Sequence, residues 1–515
     1  MTTEQIVMSI IMFIYLAGMI IIGVFYSRKG NKSTSDFYLG DRKLKPLVAA
    51  MSAEASDMSS YLLMGLPGLA YFSGVADVGW TVIGLALGTY LNWLLVAKRI
   101  RIYSEEVGAI TVPSFFSKRF NDDKNILSSI AAIIIIIFFI PYTASGFAAI
   151  GKLFNSLFGF DYMTCVLIGA VVIIIYTILG GFLAVSTTDL IQSIIMTFSL
   201  VVVLCFAVNM AGGTQAVAET AGSIDGYMNF FRTANVATGE SAPYGFISII
   251  STMAWGLGYF GMPHILLRFM GTKDPKQIKV SRRIASIWVV ISMGIAVCIG
   301  ITGFAMSRAG VIETFGTSSA AESVIVKIAD VLSHNGVLAL IVAGLVLSGI
   351  LAATMSTADS QLLAASSSVS EDILNGVFKF NLSKKATMWT ARISVIVIAI
   401  IGVIFARNPD SSIFMIVSFA WAGFGATFAP VVLCSLFWRR TNKWGAIAGI
   451  ISGAIVIFVW KYLVRPLGGA WNIYELLPAF IVATIVIIIV SLLTPAPDKA
   501  VTDTFDAVKK KVKSI

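Results

Sequence analysis

Two carboxylates and four serines stand together inside a long apolar stretch near the start of the chain. The run from Met51 to Ser60 contains Glu54 and Asp57, and glycine and proline follow within a few residues. A helix that starts at Pro46 places Asp57 about 16 Å along its axis, near the middle of a ~30 Å hydrocarbon layer. Ionisable side chains at that depth cost several kcal/mol and indicate a functional site. Small polar residues, glycine and proline further predict an unwound helix whose carbonyls line a cavity.

The composition indicates a membrane protein with many spans. Of the 515 residues, 57% are hydrophobic and only 12% are charged, which no soluble domain of this size shows. The four cysteines lie in apolar segments and are expected to be buried thiols. The sequence has only two histidines, no phosphate-binding loop and no nucleophile–base pair. We therefore expect that the protein is not an enzyme and that it binds no cofactor.

Hydropathy predicts thirteen transmembrane helices and therefore an all-α polytopic fold. The predicted spans lie near 5–26, 46–73, 76–97, 126–151, 162–180, 184–210, 244–270, 281–307, 335–373, 385–406, 411–437, 443–464 and 472–494. Boundaries read from a single sequence are the least certain part of such a prediction.

Positive charge is distributed unevenly over the loops. Most of the 37 lysines and arginines fall in loops 27–45, 98–125, 271–283, 379–385 and 439–443 and in the tail. By the positive-inside rule these segments face the cytoplasm. We therefore expect an integral protein of a bacterial-type plasma membrane, with the N-terminus outside the cell and the C-terminus in the cytoplasm. The net charge of +10 then reflects orientation and anionic lipid, so no nucleic-acid partner is needed.

A second span is also interrupted. Residues Trp255 to His264 contain three glycines and a proline, which weaken a helix. The interrupted spans are the second and the seventh, and such pairs in corresponding positions indicate a transporter's binding site. We therefore predict inverted repeats of five helices each, at 46–210 and 244–437. Around them we expect a first helix and cytoplasmic loop (1–45), an extracellular loop (211–243), two accessory helices (438–494) and a cytoplasmic tail (495–515).

The ninth span carries hydroxyl groups on one face. Ala353, Ser356 and Thr357 are spaced i, i+3, i+4 and therefore lie on the same side of a helix. Together with unwound carbonyls between Ala55 and Met58, they offer about five neutral oxygens, which suit a small hard cation such as Na⁺. The alternative is that these small residues only permit close helix packing.

These segments resemble the solute:sodium symporter family. The resemblance runs from Phe37 to about Trp438 and preserves the order of several motifs. They are Ala55-Ser56-Asp57-Met58-Ser59, Leu63-Met64-Gly65-Leu66-Pro67-Gly68, Gly180-Gly181-Phe182-Leu183-Ala184-Val185-Ser186, Trp255-Gly256-Leu257-Gly258-Tyr259-Phe260-Gly261 with Pro263-His264, and Met355-Ser356-Thr357. It implies thirteen helices with a leucine-transporter-type core of 5+5 inverted repeats. It also implies import of L-proline by alternating access driven by Na⁺.

The resemblance implies specific site residues. Sodium would be bound by the carbonyls of Ala55, Met58 and Ala353 and the hydroxyls of Ser356 and Thr357. The substrate site would comprise Asp57, Ser59, Ser60, Tyr142, Trp255, Tyr259, Pro263 and His264. Asp57 and Arg42 would couple ion to substrate. The expected partners are L-proline, sodium and membrane lipid, with no obligatory protein partner.

Three positions depart from the family pattern, which usually has Gly, Gly and Trp where this chain has Glu54, Ser60 and Tyr61. Ser60 narrows the pocket and adds a hydroxyl group. Glu54 either interacts with a cation or proton or pairs with a basic residue of another span.

A second cation site is a further expectation, near Asp189, Ser356, Asp359 and Ser360. Its alternative is a carboxylate at a helix end that pairs with a lysine or arginine. The family resemblance assigns an additional sodium to the matching aspartate in some members.

Other functions remain open at the level of sequence. The same fold could carry pantothenate, a sugar, sialic acid or another small carboxylate. A transporter-like nutrient sensor is expected to have an appended signalling domain, for which the tail is short. A channel needs more polar spans than the three seen here.

Overall fold

The computed structural model describes residues 2–29, 34–179, 181–380 and 382–515. Lys32 of the first basic loop and Gly180 of the third motif lie outside the described residues. The first half of the chain forms α1 Thr3–Lys29, α2 Thr34–Leu39, α3 Pro46–Ser60, α4 Leu66–Ser73, α5 Val75–Leu91, α6 Lys98–Glu106, α7 Val112–Arg119, α8 Ile126–Phe158, α9 Tyr162–Leu179, α10 Phe182–Met210 and α11 Thr214–Gly222.

The second half of the chain is also mostly helical. It forms α12 Phe246–Met253, α13 Trp255–Gly258, α14 Pro263–Met270, α15 Ile278–Arg308, α16 Ser318–Ala321, α17 Val324–Ser333, α18 Val337–Ser367, α19 Lys384–Phe405, α20 Ile413–Phe437, α21 Lys443–Val459, α22 Leu476–Leu493 and α23 Lys499–Ser514. Wider π turns occur at Tyr61–Gly65, Asn92–Ala97, Ser368–Val377 and Trp460–Val464, and 3₁₀ turns at Gly40–Arg42, Tyr259–Gly261, Pro275–Gln277, Arg465–Leu467 and Gly469–Trp471.

The strands of the described chain form one small hairpin in the predicted extracellular loop. β1 (Arg232–Ala234) pairs antiparallel with β2 (Ser241–Pro243), with Thr233 opposite Ala242. The structure is otherwise helical, which confirms the all-α membrane fold.

Among the described residues, ten helices are long and apolar enough to cross a membrane by themselves. Tyr162–Ile178 and Phe246–Gly261 are shorter apolar helices, and the predicted span 46–73 is divided between α3 and α4. The division follows from the sequence, because serines and a proline replace the leucines and valines of an uninterrupted lipid-facing helix. The count of thirteen spans therefore stays a prediction.

Helix α3 lies at the centre of the bundle. It packs against α10, α14, α15 and α18, so the two predicted halves of the chain meet around it. Every residue of α3 from Ala49 to Ser60 is buried. This position explains how α3 can carry polar side chains at membrane depth, since none of them faces lipid.

Glycines bring α5 and α13 into direct backbone contact. A Cβ atom at Gly256 would overlap the carbonyl of Gly84, and one at Gly88 would overlap the backbone of Gly256. Close approach of this kind is available only to residues without a side chain. The contact fixes Trp255 and Tyr259 beside the first repeat.

The C-terminal helix α23 packs against α6. Val501, Phe505 and Val508 form its buried face, and its exposed side includes an ion pair between Asp506 and Arg439 at 3.0 Å. The apolar face of this amphipathic helix therefore packs on the protein itself.

Candidate sodium and substrate site

The first interruption is centred on Ser59. This residue has φ 46° and ψ −171°, a conformation nearly confined to glycine. Its hydroxyl accepts a hydrogen bond from the backbone N–H of Tyr61 at 3.1 Å, which stabilises the distorted turn. The π turn Tyr61–Gly65 follows, and α4 resumes with Pro67 in its first turn, where proline is tolerated.

The predicted sodium ligands on α3 and α18 lie together. Ser356 Oγ donates to Ala55 O at 2.8 Å and lies 3.2 Å from Ala353 O. Thr357 Oγ1, the next hydroxyl on α18, is buried and has no hydrogen-bond partner among the described residues. The Met58 carbonyl accepts the N–H of Tyr61 and keeps a second lone pair. The group of oxygens is neutral and buried, as a dehydrated monovalent cation requires.

Asp57 is buried beside these oxygens. Its Oδ2 accepts a hydrogen bond of 2.6 Å from Tyr259, and its backbone carbonyl accepts one of 3.1 Å from Tyr142. Asp57 Oδ1 is buried without a partner, and no basic side chain pairs with this carboxylate in the described part of the chain. A buried carboxylate without a positive partner is costly, and a proton or a bound cation would relieve that cost.

An inner cavity lies at the interruption. Asp57, Met58, Tyr61, Leu85, Tyr142, Trp255, Met293, Val417 and Trp421 line it. Its volume is about 10 Å³, which is the room that about one water molecule needs. Because this space is too small for an amino acid, ligand entry requires the surrounding helices to separate.

Sequence reasoning found only part of this lining. Val417 and Trp421 are four residues apart on α20 and share a face, but a tryptophan within an apolar span gave no functional signal. Leu85 and Met293 are ordinary apolar residues in ordinary spans. The indole N–H of Trp421 donates to Trp255 O at 2.8 Å and thereby pairs with a carbonyl close to the second interruption.

The second interruption falls at Met262. This residue is extended (φ −75°, ψ 111°) between the 3₁₀ turn Tyr259–Gly261 and α14. Pro263 is the first residue of α14, where its fixed φ favours a helix start. Asn92 Nδ2 donates to Tyr259 O at 2.8 Å, so a carbonyl near the break is satisfied by a side chain of the first repeat.

Five of the eight predicted substrate residues do not line the inner cavity. These residues are all buried but are absent from the cavity lining: Ser59, Ser60, Tyr259, Pro263 and His264. The His264 ring lies 5.6 Å from the Phe139 ring, and both its nitrogens lack partners among the described residues. The structure thus brings Asp57, Tyr142 and Trp255 together at the cavity and holds Tyr259 there through Asp57.

An arginine occupies the neighbourhood of the expected second cation. Arg268 Nη2 lies 3.1 Å from Asp189 Oδ2 and 2.6 Å from Ser360 Oγ. Its Nε donates to Ser52 Oγ at 3.0 Å, and its Nη1 donates to His264 O at 3.1 Å. The guanidinium therefore joins α3, α10, α14 and α18.

The surrounding carboxylates match the alternative of a carboxylate paired with a basic residue. Asp189 and Arg268 form an ion pair that is almost fully buried, and Asp359 Oδ1 lies 3.3 Å from Ser360 Oγ. Ser360 also donates to Ser356 O at 2.8 Å, which connects this group to the sodium ligands. An arginine within an apolar span was the missed signal, since such residues mark functional sites.

Two further predicted residues have separate surroundings. Glu54 Oε1 accepts the indole N–H of Trp93 at 2.9 Å, and its Oε2 has no partner among the described residues. Arg42 donates to Met270 O at 2.6 Å and to Ala109 O at 2.7 Å. Burial lowers the pKa of Arg42 to about 10, so it stays charged at neutral pH and joins the end of α14 to the loop after α6.

Proline transporters are among the known proteins that the chain is similar to. The chain is 41% identical to the sodium/proline symporter of Haemophilus influenzae over 97% of both chains. It is also 41% identical to the osmoregulated proline transporter of Bacillus subtilis, again over 97% of both chains.

Two solved structures share the fold. A Na⁺-coupled sialic acid symporter in a substrate-bound outward-open state matches with a TM-score of 0.77 and 19% identity, over 96% of this chain and 99% of that one. A nucleobase-cation-symport-1 family transporter in a closed conformation matches with a TM-score of 0.56 and 15% identity, over 92% and 99%. The leucine-transporter-type fold is thereby confirmed. The sodium:solute symporter family model matches residues 37–453, and the chain therefore belongs to that family.

Proposed function

We propose that this protein is a sodium-coupled symporter that imports L-proline by alternating access. Two observations carry the proposal: Asp57 is a buried carboxylate with no positive partner among the described residues, and the neutral oxygens of Ala55, Ala353 and Ser356 meet between α3 and α18. The curated relatives that match 97% of the chain are proline transporters, which favours proline over pantothenate, a sugar or sialic acid. The sialic acid symporter shares only the fold at 19% identity.

The proposed sodium ligands are the carbonyls of Ala55, Met58 and Ala353 and the hydroxyls of Ser356 and Thr357. Contacts between α3 and α18 support Ala55, Ala353 and Ser356, and Thr357 adds the next hydroxyl on α18. The Met58 carbonyl accepts the N–H of Tyr61 and keeps a second lone pair for the ion. Sodium stabilises the conformation in which these oxygens are in place, and proline binding and sodium binding strengthen each other by linkage.

The proposed proline site is the inner cavity with the residues behind it. The supporting contacts are those of Tyr142, Trp255 and Tyr259 with the Asp57 region. Aromatic rings can enclose the pyrrolidine, while polar groups at the helix breaks meet the carboxylate and the ammonium. Ser59, Ser60, Pro263 and His264 become accessible in this proposal only when the helices separate. We assign Arg42 to closure of the inner end, since it bridges α14 and the loop after α6.

The proposed orientation puts the N-terminus outside and the C-terminus in the cytoplasm, as the distribution of basic residues favours. The proposed repeats remain 46–210 and 244–437. One sodium that enters with one zwitterion moves one charge inward, which is worth about 2.3 kcal/mol per 100 mV. The membrane potential and the sodium gradient together drive accumulation.

The test is uptake of labelled L-proline into proteoliposomes with an inward sodium gradient, compared with an equal potassium gradient. We expect uptake with sodium only, its loss with excess unlabelled proline, and a strongly raised sodium requirement in Asp57→Asn. Asp225→Asn is the matched control, because Asp225 belongs to an exposed ion pair with Arg232. Equal uptake with potassium contradicts sodium coupling, and a sodium-dependent fluorescence change without proline uptake contradicts the cargo.

A further inference from the structure

An arginine lies about one helical turn from the proposed sodium ligands, on the side that is predicted to face the cytoplasm. In the predicted orientation α3 runs outwards, so Ser52 lies about one turn closer to the cytoplasm than the ligand Ala55. Helix α18 runs inwards, so Ser360 lies about one turn closer to the cytoplasm than the ligand Ser356. Arg268 Nε donates to Ser52 Oγ at 3.0 Å, and Arg268 Nη2 donates to Ser360 Oγ at 2.6 Å. The guanidinium therefore bridges α3 and α18 just inside the proposed ion site.

The guanidinium is enclosed on its other sides. The Arg268 side chain is 1% exposed, and its Nη2 lies 3.1 Å from Asp189 Oδ2 of α10. Phe182, the first residue of α10, is also buried, and the centre of its ring lies 5.3 Å from Arg268 Cζ. Because α10 is predicted to run outwards, Phe182 lies about two turns closer to the cytoplasm than Asp189. An ion that leaves the proposed site between α3 and α18 toward the cytoplasm therefore has to displace Arg268 first.

The obstacle is electrostatic as well as steric. Arginine stays protonated in proteins, so its charge is permanent. Ser360 donates to Ser356 O at 2.8 Å, so two consecutive hydrogen bonds connect the guanidinium to a residue whose hydroxyl is a proposed sodium ligand. Like charges this close repel each other strongly in a protein interior, where the effective dielectric constant is lower than in water. Sodium is therefore disfavoured on the inward route while Arg268 keeps these contacts.

The helix that carries Arg268 also reaches the proposed proline site. α14 has only eight residues and begins at Pro263, directly after the extended residue Met262. Arg268 Nη1 donates to His264 O at 3.1 Å, which ties the side chain to the start of its own helix. Because a helix of about two turns moves as a unit, a shift of Pro263 and His264 shifts the guanidinium as well. Its contacts with α3, α10 and α18 then break, since each of them belongs to another helix.

We propose that Arg268 is the inner ion gate of the transporter, which closes the route of sodium to the cytoplasm until α14 moves. Helix separation around bound proline moves α14, withdraws the guanidinium and lets the ion leave. Sodium that binds without proline leaves α14 in place and finds the route closed, so the ion gradient is not dissipated without transport of the cargo. The inference rests on the proposed function, because the route begins at the proposed sodium ligands.

Entry of labelled sodium into proteoliposomes, measured with and without L-proline, tests the proposal. In the unmodified protein we expect sodium entry to require proline. Arg268→Gln combined with Asp189→Asn removes both charges of the ion pair together, so that neither member is left without its partner. In this double variant we expect sodium entry without proline to rise at least about tenfold, or about 1.4 kcal/mol, while the purified protein still binds labelled L-proline at saturating sodium. Arg268→Lys keeps the positive charge, so we expect a smaller rise.

A role of Arg268 in stability alone would lower the amount of folded protein but would not create sodium entry without proline. The matched control is Arg232→Gln combined with Asp225→Asn, which removes an exposed ion pair of 2.8 Å. In this control we expect sodium entry to require proline, as in the unmodified protein.

If the Arg268 double variant binds no proline, Ser52→Ala takes its place, because this change removes one bond of the guanidinium and keeps the ion pair. We then expect sodium entry without proline to rise about threefold. A variant that binds proline but whose sodium entry still requires proline overturns the ion gate and leaves the proposed function intact. Absence of sodium-dependent proline uptake by the unmodified protein overturns the proposed function itself.

Discussion

Two polar clusters share α3 and α18 but satisfy their charge in different ways. The proposed sodium cluster, called the sodium cluster below, comprises Ala55, Asp57, Ala353, Ser356 and Thr357, and no basic side chain of the described chain enters it. The arginine cluster comprises Ser52, Asp189, Arg268, Asp359 and Ser360, with the guanidinium at its centre. Both are buried, and a hydrogen bond of 2.8 Å from Ser360 to Ser356 joins them.

The difference shows how one bundle can hold a permanent and an exchangeable cation side by side. The positive charge of the arginine cluster is covalently attached, so it stabilises every conformation in which Arg268 keeps its partners. The sodium cluster lacks such a charge, so we expect its stability to depend on the sodium concentration. Only an exchangeable ligand can shift a conformational equilibrium by mass action.

The largest expected effect comes from removing the permanent charge. Arg268→Gln leaves Asp189 buried without its partner, and loss of one side of a buried ion pair costs about 3–5 kcal/mol. We expect a large fall in the thermal unfolding temperature of the purified protein, part of which Asp189→Asn restores in the double variant. Arg232→Gln is the control, since an exposed pair contributes only about 0–1 kcal/mol. An Arg268→Gln protein as stable as the unmodified one contradicts the role assigned to this cluster.

Asp57→Asn tests the charge of the sodium cluster. The substitution keeps the acceptor for Tyr259 but removes the negative charge, so we expect the half-saturating sodium concentration for proline uptake to rise by at least about tenfold, or about 1.4 kcal/mol. Glu54→Gln is the matched control one helical turn away, where the bond from Trp93 is retained. A larger rise in the sodium requirement in Glu54→Gln than in Asp57→Asn means that Glu54, and not Asp57, is the carboxylate of the sodium cluster.

Thr357→Ala removes a single neutral ligand. A hydroxyl contributes about 0.5–1.5 kcal/mol, so the sodium requirement is expected to rise about threefold to tenfold with little change in folding. Thr354→Ala is the control on the same helix, because its hydroxyl bonds to Ile350 O instead. Unchanged sodium dependence in Thr357→Ala removes this residue from the cluster.

Ser60→Gly should produce the smallest change. Ser60 Oγ is buried but has no partner among the described residues, and Ser60 belongs to neither cluster. We expect the sodium requirement to change by less than about twofold, or about 0.4 kcal/mol, with any change confined to the affinity for proline. A tenfold change in sodium dependence extends the sodium cluster beyond Asp57.

The broken helices could be predicted from the sequence, because serine, glycine and proline contrast with their apolar surroundings. The sodium cluster stays a prediction, although the structure does bring Ala55, Ala353 and Ser356 into contact.

The buried ion pair of Arg268 could not be predicted, because a basic residue near the end of a span usually indicates the orientation of the protein in the membrane. The position of Trp421 in the cavity lining could not be predicted, because a tryptophan does not differ in polarity from the apolar span around it. The arginine cluster draws Ser52, Asp189 and Ser360 from distant parts of the chain, and only the packed fold brings them together.

The backbone contact between α5 and α13 has a consequence for how the protein can evolve. Gly84, Gly88 and Gly256 have no room for even one methyl group, so a substitution at any one of them requires a simultaneous shift of both helices. Single substitutions at these positions are therefore expected not to be tolerated. In a library that varies every residue and is selected for growth on the transported compound, these three glycines should be among the most strictly retained positions, even though no side chain there touches ion or substrate.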